Sequence, residues 1–163
     1  MPVLAIGLSD VVAIEAGGYH ACAVKSAGEL FCWGDYELRT IGDASLGSFV
    51  LTPTLFTWRS GAGTDCGGGG LHGCIVLVGG SAECAGVAGD WLGAGMDLSS
   101  DAPPTPVVGT DISPVSSIDA NFRNTCALGT TGDVRCWGEG DSGQLGNGDT
   151  SDSDVPISVI WAG

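Results

Sequence analysis

The residues best equipped for chemistry in this chain are seven cysteines, two histidines and a late run of aspartates. Six cysteines fall into pairs ten positions apart: Cys22 with Cys32, Cys74 with Cys84, Cys126 with Cys136. Successive pairs are offset by 52 residues. Paired thiols can close a disulfide or hold a metal. Zinc is disfavoured, because the chain has no C-x-x-C and each pair would need ligands from elsewhere. A disulfide fits better. If Ser26-Ala27-Gly28 forms a three-residue hairpin loop with Gly28 left-handed, Lys25 opposes Glu29 and Cys22 opposes Cys32. That pair falls on a non-hydrogen-bonded site, with Cα atoms about 4.5 Å apart, near the low edge of disulfide geometry. The same count serves the other two pairs. Disulfides are therefore the preferred reading and buried free thiols the alternative. Cys66 has no such mate. It aligns with Ile14 and Ile118, so it reads as a buried free thiol at a core position.

His20 and His72 occupy one repeat position, which Asn124 fills in the third unit. A slot repeated along the chain suits a structural hydrogen bond better than catalysis. No G-x-S-x-G elbow appears, and Gly67–Gly70 lacks the Lys-Ser/Thr that completes a phosphate loop. No catalytic residues and no cofactor are expected. The tract "EGDSGQLGNGDTSDSD" places Asp149, Asp152 and Asp154 where carboxylates could offer oxygens to calcium. The spacing is not that of an EF-hand, so a solvated acidic loop is the preferred reading and calcium the weak one.

The elements that carry these residues are short strands. The chain has 163 residues, 29 of them glycine, and only 15% are charged. That composition, without a long amphipathic run or a collagen period, predicts strands and tight turns. The 52-residue period organises them. "HACAVKSAGELFCWG" matches "HGCIVLVGGSAECAG" and "NTCALGTTGDVRCWG". Gly34, Gly86 and Gly138 share a phase, as do Ile14 and Ile118, and Trp33 and Trp137 fill a Trp-Gly slot that Ala85 occupies in the middle unit. Trp58, Trp91 and Trp161 lie off that slot. The units run roughly 11–58, 59–110 and 111–161 in a single domain, with 1–10 read as a boundary strand of a preceding unit.

With these motifs in hand, the chain resembles the regulator-of-chromosome-condensation repeat, in its cysteine-bearing bacterial version. The third unit, with "CWGEGDSGQLGNGDT", matches best and the middle one least. The resemblance implies an all-β fold of propeller-type blades, a partial propeller or part of a ring. It does not settle function, since the family hosts several.

Formal charge narrows the choice. A net −14, with only Lys25, Arg39, Arg59, Arg123 and Arg135 basic, repels nucleic acid and anionic membranes. No segment is apolar enough to insert in a bilayer, and the start lacks the basic region of a signal peptide. The expected function is a non-enzymatic protein-binding or scaffold module whose acidic loops meet a protein partner of basic character. The alternative is a self-assembling structural protein, either a homo-oligomer or a unit beside further repeats of a longer chain. Disulfides imply an oxidising compartment, hence an extracellular or cell-surface site, bacterial if the resemblance holds.

Overall fold

The computed structural model describes residues 5–35, 49–56, 61–87, 89–95, 105–107 and 114–161. Its strands form three four-stranded antiparallel meanders. The first blade is β1 (Val11–Ala16), β2 (His20–Lys25), β3 (Leu30–Asp35) and β4 (Phe49–Phe56). The second is β5 (Gly63–Gly68), β6 (His72–Leu77), β7 (Ala82–Gly86) and β8 (Thr105–Pro106). The third is β9 (Val115–Ala120), β10 (Asn124–Gly129), β11 (Val134–Gly138) and β12 (Ser153–Ser158). Among the described residues no helix is long and apolar enough to cross a membrane.

The central hairpin of each blade has the register that the repeat predicts. Val24 opposes Leu30, and Cys22 opposes Cys32. Gly28 takes φ +84° in the loop and its N–H donates to the Lys25 carbonyl at 2.7 Å. The structure bonds Cys22 to Cys32, Cys74 to Cys84 and Cys126 to Cys136, each with Cα atoms 4.1 Å apart. Cys66 is free and buried. Gly34, Gly86 and Gly138 all sit at positive φ, and at Gly34 and Gly138 the register with the outer strand shifts. A Cβ at Gly34 would lie 2.7 Å from the His20 Cα. The Trp-Gly slot therefore needs glycine for both conformation and room.

Blades stack through their faces. Period-two alternation sends Cys22 and Val24 to one face of the first blade, with Leu30, Cys32 and Phe56 beside them. That trailing face packs on the leading face of the second blade, at Cys66, Ile75, Leu77 and Ala85. The second blade's trailing face (Cys74, Val76, Ala82, Cys84, Val107) packs in the same way on Val115, Ile118, Ala127 and Trp137 of the third. β6 and β7, covered on both faces, are buried along their whole lengths.

Two expectations are corrected here. Ile14 is not a core residue: it is 75% exposed, whereas Cys66 and Ile118 at the same repeat position are 5% and 3% exposed. Its face is the leading one, and no described blade precedes it. Residues 5–10 form no strand; Gly7 and Asp10 at positive φ turn the chain into β1, and residues 1–4 lie outside the described residues. Trp33 also sits on that leading face and is half-buried, while Trp137 is fully buried.

Candidate interaction surface

The inner strands β1, β5 and β9 run side by side, and their proximity explains the glycine run of the middle unit. A Cβ at Gly67 would come within 2.8 Å of the Asp119 Cα on the next blade. The position of a Gly68 Cβ is taken by the Glu15 carboxylate from the blade before. Gly67–Gly70 is thus part of β5 and its turn, kept side-chain-free because neighbouring backbones and Glu15 fill the space. The turns that follow the inner strands, Ala16–Gly18, Gly68–Gly70 and Ala120–Phe122, border a cleft of about 280 Å³.

A chain of buried polar contacts crosses the blades nearby. His72 Nε2 lies 2.6 Å from Thr125 Oγ1 of the third blade. The Thr125 hydroxyl gives its single proton to the Trp91 carbonyl at 3.2 Å. His72 must therefore donate from Nε2, leaving Nδ1 as the unprotonated nitrogen. Burial pushes the imidazole pKa down to about 3, with a smaller push from the charge of His20. The Trp91 carbonyl also accepts from Trp137 Nε1 at 2.8 Å. His20, at the same repeat position, finds Gly73 where His72 finds Thr125, and instead places Nε2 3.3 Å from the buried carboxylate of Glu15. His72 makes the structural hydrogen bond expected of the shared slot, whereas His20 lies beside the Glu15 carboxylate without one. Glu15 and Thr125 escaped sequence reading because their counterparts in the middle unit are the glycines Gly67 and Gly73; glycine at 68, leaving room for Glu15, was the available signal.

A further clasp joins the second and third blades. Asp65 accepts from the Ser117 hydroxyl at 2.7 Å and from the Ile118 N–H at 3.0 Å. Cys66 beside it is an inert thiol: burial raises its pKa most, and the charges of Glu15 and Asp65 raise it further.

A cluster of exposed carboxylates lies on the loop between β11 and β12 and at the start of β12. Its carboxylates hold the loop's own backbone. Asp152 Oδ1 accepts from the Gly140 N–H at 2.8 Å, and Asp149 Oδ1 from the Ser151 N–H at 2.8 Å. The Ser151 bond holds the Asp149 carboxyl below its ordinary pKa. Asp141, Asp149, Asp152 and Asp154 are all exposed. Asp149, Asp152 and Asp154 do not converge on one point; among the described residues the group close enough to share an ion is Glu15, His20 and Cys22, and Cys22 is bonded to Cys32. Trp91 donates its indole N–H to the Val87 carbonyl at 2.8 Å, and Arg123 stacks over its ring. Trp161 is exposed, and Trp58 lies outside the described residues.

Comparison with known proteins agrees with this architecture. Residues 11–35 and 115–144 match the family described as "Regulator of chromosome condensation (RCC1) repeat", and residues 131–162 match a second family under the same description. The human "RCC1-like G exchanging factor-like protein" is 31% identical over 174 residues, covering 96% of this chain and 36% of that protein. Human "E3 ubiquitin-protein ligase HERC2" is 27% identical over 150 residues, covering 91% of this chain and 3% of that protein. The chain thus spans about a third of one relative and a small fraction of the other. Among solved structures, human WBSCR16 superposes with a TM-score of 0.82 at 25% identity, over 94% of this chain and 40% of that one. Prp20p of Saccharomyces cerevisiae, whose structure was described with its binding to Gsp1p and histones, superposes at 0.74 with 21% identity, over 96% and 40%. The three disulfide-bearing meanders are blades of a β-propeller, and the chain carries repeats that match the regulator-of-chromosome-condensation repeat.

Proposed function

We propose that this chain is a non-enzymatic protein-binding module whose acidic third-blade loop meets a basic protein surface. One observation carries the reading: Asp141, Asp149 and Asp152 are exposed on one loop, with Asp154 just past it at the start of β12, and the loop's shape is fixed by its own side-chain-to-backbone hydrogen bonds. A rigid array of like charges steers a cationic partner and loses little entropy on binding. The net charge of −14 points the same way. Solved relatives with this fold engage other proteins, as in Kap60 bound to yeast RCC1. Three disulfides suit a setting outside the cytoplasm, at or beyond the cell surface.

The test uses a fluorescent lysine-rich peptide and two triple variants of equal charge. Asp141→Asn, Asp149→Asn and Asp154→Asn neutralise most of the loop and the start of β12 while keeping an acceptor oxygen. Asp10→Asn, Glu29→Gln and Asp119→Asn neutralise other surfaces. Anisotropy at low and physiological salt should show the first set weakening binding at least about tenfold more than the second. Equal losses would mean that only total charge matters, and the loop would not be a recognition surface.

A further inference from the structure

A metal at paired thiols needs further ligands from elsewhere in the fold, and the first blade supplies them. β1, β2 and β3 bring four residues to one face. Glu15 opposes Cys22, Cys22 opposes Cys32, and His20 stands two residues before Cys22 on the same strand. Ligand atoms of Glu15, His20 and Cys22 all lie within 4.8 Å of one another. The group is closed off from water: side-chain exposure is 0% for His20 and 5% for Glu15, and Cys22 and Cys32 are buried. The Glu15 carboxylate fits there because Gly68 of the second blade leaves the space. These buried polar atoms are nevertheless unpartnered among the described residues. Neither ring nitrogen of His20 nor Glu15 Oε2 makes a hydrogen bond. Burying such groups unpaired is costly, so the arrangement calls for a further partner.

The spacing points to the kind of partner. His20 Nε2 lies 3.3 Å from Glu15 Oε1, too far for a charge-assisted hydrogen bond of about 2.7–2.9 Å. Two ligands about 2.0–2.1 Å from one tetrahedral zinc ion stand about 3.4 Å apart. The other blades lack the set. Gly67 replaces Glu15 in the second blade, and His72 Nε2 there is engaged by Thr125. In the third blade the same positions hold Asp119, which is exposed, and Asn124, which has no imidazole. We infer that, when the Cys22–Cys32 bond is open, this chain holds one zinc ion in its first blade, bound by Glu15 Oε1, His20 Nε2, Cys22 Sγ and Cys32 Sγ. Thiolate, imidazole and carboxylate together suit zinc rather than calcium or magnesium. Opening the bond takes two electrons and two protons, supplied by a dithiol that closes to its own disulfide. Zinc then displaces both thiol protons to solvent. The same two sulfurs cross-link β2 to β3 in either form, directly when oxidised and through the metal when reduced. The zinc form belongs to the chain before this disulfide closes or after it is reduced. It does not depend on the acidic loop.

The test uses the whole chain. A water-soluble phosphine opens disulfides, taking the oxygen of one water as its oxide and leaving two thiols. With the phosphine removed under argon, cobalt(II) serves as a coloured stand-in for zinc. The reduced protein should bind one cobalt ion per chain, with tetrahedral d–d bands and a sulfur-to-metal charge-transfer band, and added zinc should bleach both. The oxidised protein should show neither. Glu15→Gln and His20→Gln should each weaken zinc binding at least about 100-fold, more than the loss of an outer-shell partner costs. Asp119→Asn should bind as the wild type does. Alkylation mapped by mass spectrometry needs no variant: zinc should shield Cys22 and Cys32 in the reduced wild type and leave Cys74, Cys84, Cys126 and Cys136 as reactive as before. Metal that binds without shielding Cys22 and Cys32, or with undiminished affinity in Glu15→Gln, would overturn the inference. So would a reduced chain that binds no metal, or an oxidised chain that binds it equally well.

Discussion

His72 offers a quantitative test of the buried contacts between blades. Its folded-state pKa is lowered from 6.5 to about 3 by burial, while an unfolded chain leaves it near the ordinary value. Between those limits the unfolded state binds a proton that the folded state refuses. Stability then falls as pH falls, beginning near the unfolded value and continuing until the folded value is reached. At pH 4.5 the imidazole alone should cost on the order of 2–3 kcal/mol relative to neutral pH. That is a large share of the stability of a domain this size. Carboxylates also titrate in this window, so the comparison must be made against a variant. His72→Gln retains an N–H donor for Thr125 and does not titrate. Urea unfolding of both proteins from about pH 7.5 to 4.5 should give curves that diverge on acidification, the wild type losing on the order of 2–3 kcal/mol more. The variant is expected to be less stable at neutral pH, since glutamine fills the site less well. It should be the less pH-sensitive one. Parallel curves would refute the claim that His72 is held neutral by burial.

Other consequences are as direct. Cys66 should resist a thiol reagent in the native protein and titrate as one thiol per chain after denaturation, because burial keeps it protonated and out of reach. Replacing Cys126 and Cys136 together by serine should lower stability by about 2–3 kcal/mol in chemical denaturation, the entropy of a short closed loop. Trp137→Phe keeps most of the ring but removes the donor to the Trp91 carbonyl; a loss of about 1 kcal/mol is expected, against about 3–5 kcal/mol for Trp137→Ala.

What the sequence made legible was whatever recurs locally. The hairpin register followed from Gly28 and the ten-residue spacing, because a short loop fixes which residues oppose each other. The glycines of the Trp-Gly slot followed from backbone geometry that each unit repeats. Contacts between blades were less legible. Asp65 bonds Ser117 and Ile118 across 52 and 53 residues, and its equivalents are Ala13 and Ser117, so alignment of the repeats conceals the pairing. His72 reaches Thr125 because a hydroxyl stands there, while His20 turns to Glu15 because Gly73 offers nothing. Each such contact was improvised on one pair of blades.

Ile14 shows why repeat position alone misjudges burial. A strand residue is buried by what lies across its face, and in a stacked array that is another unit. The sequence of a unit specifies two faces but not whether both are covered. Cys66, Ile118 and Ile14 share a position and are made for the same packing, yet two are enclosed and one is open. The difference lies in the neighbour, not in the residue. The same reasoning applies to Leu128 and Gly132, on the opposite face and at the opposite end. Three positions that a repeat alignment would treat as interior are therefore uncovered among the described residues. A substitution there should be silent in the isolated chain and felt only when another blade arrives.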